Sequence, residues 1–305
     1  MSDPTTVRAY LDRLGVDGAA RPDLDTLRRL QAAHLERVPF ENLDIQLGRP
    51  SPVDDPGALP RILSGRGGYC FHLNGSFATL LTLLGYRVTR HRGGVQDSAD
   101  QPPPGDSGNH LTLTVRLADE DGSGPGGTGP GGTGRDGSGF TDWFVDVGIG
   151  GDGPREPIPL RPGTSRQGPF TYRLGRSPVV PGGWRFTHDA RGSFAAMDFA
   201  PGPAGRGDFT VQNEFLTTHP DSRFVRTAVV GLRDAEGLTR LLGTVLTRID
   251  GSGRRSHTVT SEEEYYGTLQ RVFGITLTDV PQAERSALWR RLSAAHEHWL
   301  ATRSS

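Results

Sequence analysis

The chain has 305 residues with 34 basic and 35 acidic side chains, a net charge of −1, so overall charge recruits neither nucleic acid nor an anionic membrane surface. Every basic residue is arginine, which excludes mechanisms that need a lysine, such as a Schiff base or a P-loop. The single cysteine, Cys70, excludes an intramolecular disulfide and a multi-cysteine zinc site.

In chain order, residues 4–90 read mainly as helix. TVRAYLDRLG spaces apolar residues at a helical period and stops at Gly15; DLDTLRRLQAAHLERV repeats the pattern and ends at Pro39. An apolar run from Asn74 to Leu84 follows, with Gly85 placed to terminate it. From about Tyr86 the pattern turns to strands: YRVTRHRGGV, HLTLTVRL and FTDWFVDVGIG, then TYRLGR, GGWRFTHDA and SFAAMDFA. Strand after strand predicts an antiparallel sheet or barrel rather than a βαβ array. Residues 119–139, which repeat GPGGT and hold no large apolar side chain, read as a flexible loop insertion. Residues 97–108 form a second loop with a Pro-Pro-Pro stretch. Beyond residue 208, DFTVQNEFLTTHPDSRFVRTAVVGL reads as a helix or loop running into a strand, and LTRLLGTVLTRID as strand-like. Ser261 and Glu264 form a capping box for a helix that ends at Gly274, and a terminal helix closes the chain. The first residues lack the basic and apolar pattern of a signal peptide, and no apolar run nears the ~20 residues that span a bilayer, so a cytoplasmic protein is expected.

Cys70 lies in RGGYC, after two glycines and at the start of an apolar helical run. Unpaired N–H groups and the macrodipole at a helix start favour a thiolate, so position points to an activated nucleophile; a buried structural cysteine is the competing reading. A nucleophile needs a base and a group to orient it. Of the nine histidines, His34 sits on a helix, on its surface or in the core, and His296 and His298 face different ways on a helix and make a poor metal pair. His110 opens a strand after a loop, where a side chain reaches a cleft rim. Asp146 lies in an apolar strand, where a carboxylate is costly unless hydrogen-bonded; an imidazolium would satisfy it, and an edge position or turn cap is the alternative. Residues 148–153 fit GxGxxG after a strand, but Pro154-Arg155-Glu156-Pro157 supplies no helix, so a dinucleotide site is rejected.

Taken together these segments resemble the arylamine N-acetyltransferase family. RGGYCF at 66–71 matches its nucleophile signature, and VPFENLDI at 38–45 a second signature upstream. HLTLTV at 110–115, VDVGIG at 145–150, NEFLTTHPDSRF at 213–224 and VFGITL at 272–277 follow in the family's order. The resemblance implies an α+β fold of three domains: a helical bundle at 1–90 carrying the nucleophile, an antiparallel β-barrel at 91–207 with the insertion 119–139, and an α/β lid at 208–305. It implies a cysteine-protease-like triad, with Cys70 as nucleophile, His110 as base and Asp146 as orienter. Acetyl-CoA would be the co-substrate, with no metal, and arylamines, arylhydrazines or arylhydroxylamines the acceptors of a ping-pong reaction. Phe40, Val95, Gly148 and Phe224 match positions near the acyl and aryl pocket, and Ser107 and Gly108 those beside the pantetheine arm. Arg66 and Glu41 match a structural pair joining the two signature segments. No nucleic-acid or membrane partner is implied, and a homodimer is allowed.

The chain departs from the family in two places. His72 stands where the family usually has an acidic residue, and the insertion separates His110 from Asp146 by 36 residues. The same signatures would also suit an amide synthase closing macrolactams from a carrier-bound polyketide, and a silent binding homologue is the alternative outside enzymes.

Overall fold

The computed structural model describes residues 4–18, 21–53, 57–118 and 139–303; of the expected loop insertion at 119–139, all but Gly139 lies outside the described residues. Helix α1 (Pro4–Leu14) buries Tyr10, Leu11 and Leu14, and α2 (Leu24–Arg37) starts on Asp23, whose side chain accepts the Thr26 N–H at 2.8 Å. A two-residue strand, β1 (Phe40–Glu41), and two short helices, α3 (Leu43–Gln46) and α4 (Ala58–Leu63), lead to α5 (Cys70–Leu83). Helix α5 is apolar on most of its faces and is accordingly the central one, packed on α1, α4 and the first two strands of the large sheet. Its Leu73, Phe77, Leu80 and Leu81 are buried, each side chain contributing about 1.5–3 kcal/mol. His34 is likewise a core residue: Tyr10 Oη lies 2.9 Å from its Nε2, and burial, with Arg13 nearby, pulls its pKa down to about 3.

The middle of the chain forms one antiparallel sheet from β2 (Arg87–Gln96), β3 (His110–Ala118), β4 (Phe140–Val145), β5 (Ile158–Pro159), β6 (Gly163–Gln167), β7 (Phe170–Arg176), β8 (Trp184–Thr187) and β9 (Ala196–Phe199). The strand order is β5-β4-β3-β2-β9-β8-β7-β6. The two ends approach each other: Gln167, at the end of β6, accepts the Glu156 N–H at 2.9 Å and donates to the Glu156 carbonyl at 3.1 Å. The result is a nearly closed, barrel-like sheet around Phe144, Phe170, Tyr172, Phe186, Met197 and Phe199.

Helices α6 (Thr210–Thr218) and α7 (Arg223–Arg226) precede β10 (Val229–Arg233), β11 (Gly237–Leu242), β12 (Val245–Asp250) and β13 (Gly253–Thr258), and the chain ends in α8 (Glu262–Phe273) and α9 (Gln282–Arg303). The strand-like stretch from Leu238 to Asp250 is thus a hairpin turning at Gly243. This second sheet has five strands because β1 joins it, pairing Phe40 with Gly231 and Glu41 with Val230. The mainly helical N-terminal segment therefore donates an edge strand to a sheet formed almost 190 residues later. One face of the five-stranded sheet carries Val230 and Leu241 onto Tyr265, Leu269, Leu288 and Leu292 of α8 and α9; the other carries Leu238 and Ile249 into the barrel core. Ser261 caps α8 by accepting the Glu264 N–H at 3.2 Å, but the Glu264 carboxylate accepts from Thr260 N–H at 2.9 Å, one residue earlier than a reciprocal box requires. Among the described residues no helix is long and apolar enough to cross a membrane.

Candidate active site

The two glycines of RGGYC answer to close packing, since neither has a positive φ. A Cβ on Gly67 would sit 1.7 Å from the Pro39 carbonyl oxygen, and one on Gly68 2.9 Å from the His72 ring. Gly68 makes a parallel bridge to Phe40, and its carbonyl accepts the Glu41 N–H at 2.8 Å. The RGGYC loop is thereby laid against VPFENLDI.

Arg66 fastens the same joint. Its Nε lies 3.0 Å and its Nη2 2.9 Å from Glu41 Oε1, and Nη2 also donates to Asp44 Oδ1 at 2.9 Å. Burial opposes the guanidinium charge, and the Glu41 and Asp44 carboxylates outweigh it, raising the Arg66 pKa. Glu41 Oε2 accepts the Leu43 N–H at 2.7 Å and so also starts α3. The expected Arg66–Glu41 pair is present; Asp44, three residues after Glu41, is a third member that sequence reasoning missed.

Cys70 opens α5 and is buried, its Sγ 3.8 Å from the Asn109 carbonyl. The N–H groups of Cys70 and Phe71, in the first turn, have no intrahelical acceptor. His110 is the first residue of β3 and Asp146 follows β4 directly; both are buried. His110 Nε2 donates to Asp146 Oδ2 at 2.7 Å, which leaves Nδ1 for the Cys70 side. Burial disfavours the His110 imidazolium, but the Asp146 carboxylate, with a smaller contribution from Cys70, prevails and raises the pKa from 6.5 to about 10. The cost of burying the Asp146 carboxylate is met by three donors, since Oδ1 also accepts from Asn74 Nδ2 and from the Gly148 N–H, both at 2.9 Å.

Asn74 is the polar residue the sequence reading passed over. It stands one helical turn after Cys70, on the same face of α5. Its Nδ2 donates to Asp146 and to the Leu111 carbonyl (2.6 Å), and its Oδ1 accepts the Val147 N–H at 2.9 Å, so one side chain ties β3 and the end of β4 to the cysteine helix. Gly148 lies so close to that helix that a Cβ would meet Cys70 Cα at 2.8 Å.

The remaining predicted residues divide into two groups. Phe40 is buried, and the half-buried Phe224 meets it edge-on at 6.1 Å and Tyr69 at 5.6 Å. Val95 packs on the barrel core instead, and its N–H donates to Asn109 Oδ1 at 2.8 Å. Gly108 is held to β2 through its N–H and the Gly93 carbonyl at 2.9 Å; Ser107 Oγ is buried with no hydrogen-bond partner among the described residues. His72 faces Tyr69, ring to ring at 4.3 Å, with Nε2 3.3 Å from the Pro52 carbonyl. The segment 148–153 runs through turns with no helix after it, as Pro154 and Pro157 require. Among the described residues no cluster of His, Cys, Asp and Glu could hold a metal ion.

A model of the N-acetyltransferase family matches residues 23–122 and 136–282. The arylamine N-acetyltransferase of Mycobacterium tuberculosis is 32% identical over 291 residues, covering 93% of each chain. This chain belongs to the arylamine N-acetyltransferase family. A structure of the Mycobacterium marinum arylamine N-acetyltransferase in complex with CoA superposes with a TM-score of 0.77 at 28% identity, over 95% of this chain and 99% of that one. The likeness to proansamycin X synthase of Amycolatopsis mediterranei, 33% identical over 172 residues, covers 55% of this chain and 57% of that protein. As a family member the chain is an acetyl-transferring enzyme, and the mixed helical and barrel-like architecture is that of its structural neighbours.

Proposed function

We propose that the protein moves the acetyl group of acetyl-CoA to the nitrogen of arylamines and arylhydrazines, or to arylhydroxylamines, through an acetyl-Cys70 intermediate. The observation that carries this reading is the buried His110–Asp146 hydrogen bond with Cys70 beside it at a helix start. His110 Nδ1 takes the thiol proton, and the Cys70 thiolate attacks the thioester carbonyl. The first-turn N–H groups of α5 face the oxygen that becomes negative. Collapse forms acetyl-Cys70 and breaks the carbon–sulfur bond to CoA, whose thiolate takes the proton from His110. One thioester replaces another, so the step is nearly isoenergetic. The amine then attacks acetyl-Cys70, neutral His110 accepts the amine proton, and the thiolate leaves. Asp146 keeps the Nε2–H in place throughout, and Asn74 and Gly148 keep Asp146 in place.

In this reading the helical segment 1–90 brings the nucleophile, the barrel 91–207 brings the base and its orienter, and 208–305 closes over them. Phe40, Phe224 and Tyr69 supply aromatic edges for an aryl acceptor. The match over 93% of the chain to an arylamine N-acetyltransferase, against 55% to the synthase, favours acetyl transfer over macrolactam closure. Initial rates with aniline varied at several fixed acetyl-CoA concentrations test the scheme. Parallel double-reciprocal lines are expected; intersecting lines would reject a free acyl-enzyme.

A further inference from the structure

The barrel-facing side of the five-stranded sheet carries an arginine cluster that the acyl-transfer chemistry does not use. Directly paired residues on this face run Phe40, Gly231, Arg240, Thr247, Ser256 across β1 and β10–β13. The adjacent row holds Arg233, whose guanidinium donates to the Gln167 and Gly237 carbonyls, then Leu238, Ile249 and Arg254. Two contacts fix where the face looks. Leu238 and Ile249 belong to the barrel core, and Gly231 lies against Gly150 and Gly151, just beyond Asp146. At the other end of the row Phe40 is bridged to Gly68, two residues before Cys70. Arg240 is two strand spacings from Phe40, about 10 Å.

The charge along this face is only partly balanced. Arg240 is largely covered, and its Nε is buried with no hydrogen-bond partner among the described residues. Burial pulls its pKa down; Arg254 and Arg223 push the same way, and Asp152 is the carboxylate that acts against them. Arg223 is shared with Asp97 at 2.5 Å. Arg240 and Arg254 stand on the same face in neighbouring rows, Arg223 acts on Arg240 from the start of α7, and the hydroxyls of Thr247 and Ser256, 3.0 Å apart, stand in the same row as Arg240. A buried guanidinium with an orphaned N–H is costly, and an anion with several acceptor oxygens would satisfy it bidentately.

We propose that Arg240, with Arg254 and Arg223, binds the phosphate groups of the acyl donor, whose thioester arm then runs along Phe40 to Cys70. This rests on acetyl-CoA being the donor. The test is steady-state kinetics of Arg240→Met and Arg254→Met, each checked for an unchanged melting point, with acetyl-CoA, 3′-dephospho-acetyl-CoA and S-acetylpantetheine. The ratio of kcat/KM for acetyl-CoA to that for S-acetylpantetheine is expected to fall about tenfold to a hundredfold in Arg240→Met, and in the same direction in Arg254→Met. A fall that persists with the dephospho donor assigns the diphosphate; one that disappears assigns the 3′-phosphate. A ratio within twofold of wild type in both variants overturns the phosphate site. Wild-type protein that takes an acetyl group from none of the three donors overturns the acetyl-transfer reading itself.

Discussion

Asp146→Asn is expected to lower acetyl transfer by about 10³–10⁴-fold while leaving the fold in place. The carboxylate serves two sets of donors: Oδ1 receives Asn74 and Gly148, and Oδ2 receives the His110 ring. An amide can keep its oxygen on the first set only by turning its NH2 toward His110. The ring must then accept at Nε2 and carry its proton on Nδ1, where it can no longer take one from Cys70. The opposite orientation sets the NH2 against Asn74 and Gly148 and loses both bonds. The same substitution removes the charge that raises the His110 pKa. The folded wild type binds that proton more tightly than the unfolded chain, so the pair's contribution to stability is complete below about pH 6.5 and is lost as pH rises toward about 10. Thermal melting across pH 6–10 should therefore decline in wild type and decline less in Asp146→Asn. Equal slopes with full activity would show that Asp146 does not govern His110.

Gly67→Ala is expected to destabilise the protein by about 3 kcal/mol and depress activity with it. The added Cβ would lie 1.7 Å from the Pro39 carbonyl oxygen, inside any van der Waals contact, and both partners are backbone. Relief requires moving the loop that holds Arg66 on Glu41 and Cys70 at the head of α5. Gly75, inside the same helix, provides the contrast: nothing lies within 4 Å of its Cβ position. Gly75→Ala should be stabilising by about 0.5–1 kcal/mol through helix propensity. Melting of the two variants side by side separates close packing from a general intolerance of side chains; a Gly67→Ala protein that melts with wild type would remove the steric account of RGGYC.

The sequence and the structure agree most where a residue type has a local reason to be where it is. Gly15, Gly85 and Gly274 end helices as expected, all three at positive φ. HLTLTVRL alternates and is β3. The elements that escaped lack a local signal. β1 is two residues long and exists because β10, far along the chain, hydrogen-bonds to it. β13, GRRSHT, is polar and exposed along its length, so it shows no apolar alternation. Family resemblance named Cys70, His110 and Asp146, and the fold brings them together. Asn74 and Asp44 act by holding those residues or their loop, and a holding role depends on tertiary neighbours. The helical spacing of Asn74 from Cys70 was the available clue, an amide in an otherwise apolar stretch. His72 answers to Tyr69 and the 52 carbonyl, a packing role that its place two residues past the cysteine does not disclose.

The central claim is a covalent acetyl group on Cys70, and intact-protein mass spectrometry after mixing with acetyl-CoA in the absence of an amine addresses it directly. The account predicts a gain of one acetyl group in the wild type, none in Cys70→Ala, and return to the starting mass when an arylamine is added. A wild-type mass that stays unchanged with acetyl-CoA, or an adduct that persists in Cys70→Ala, would contradict it.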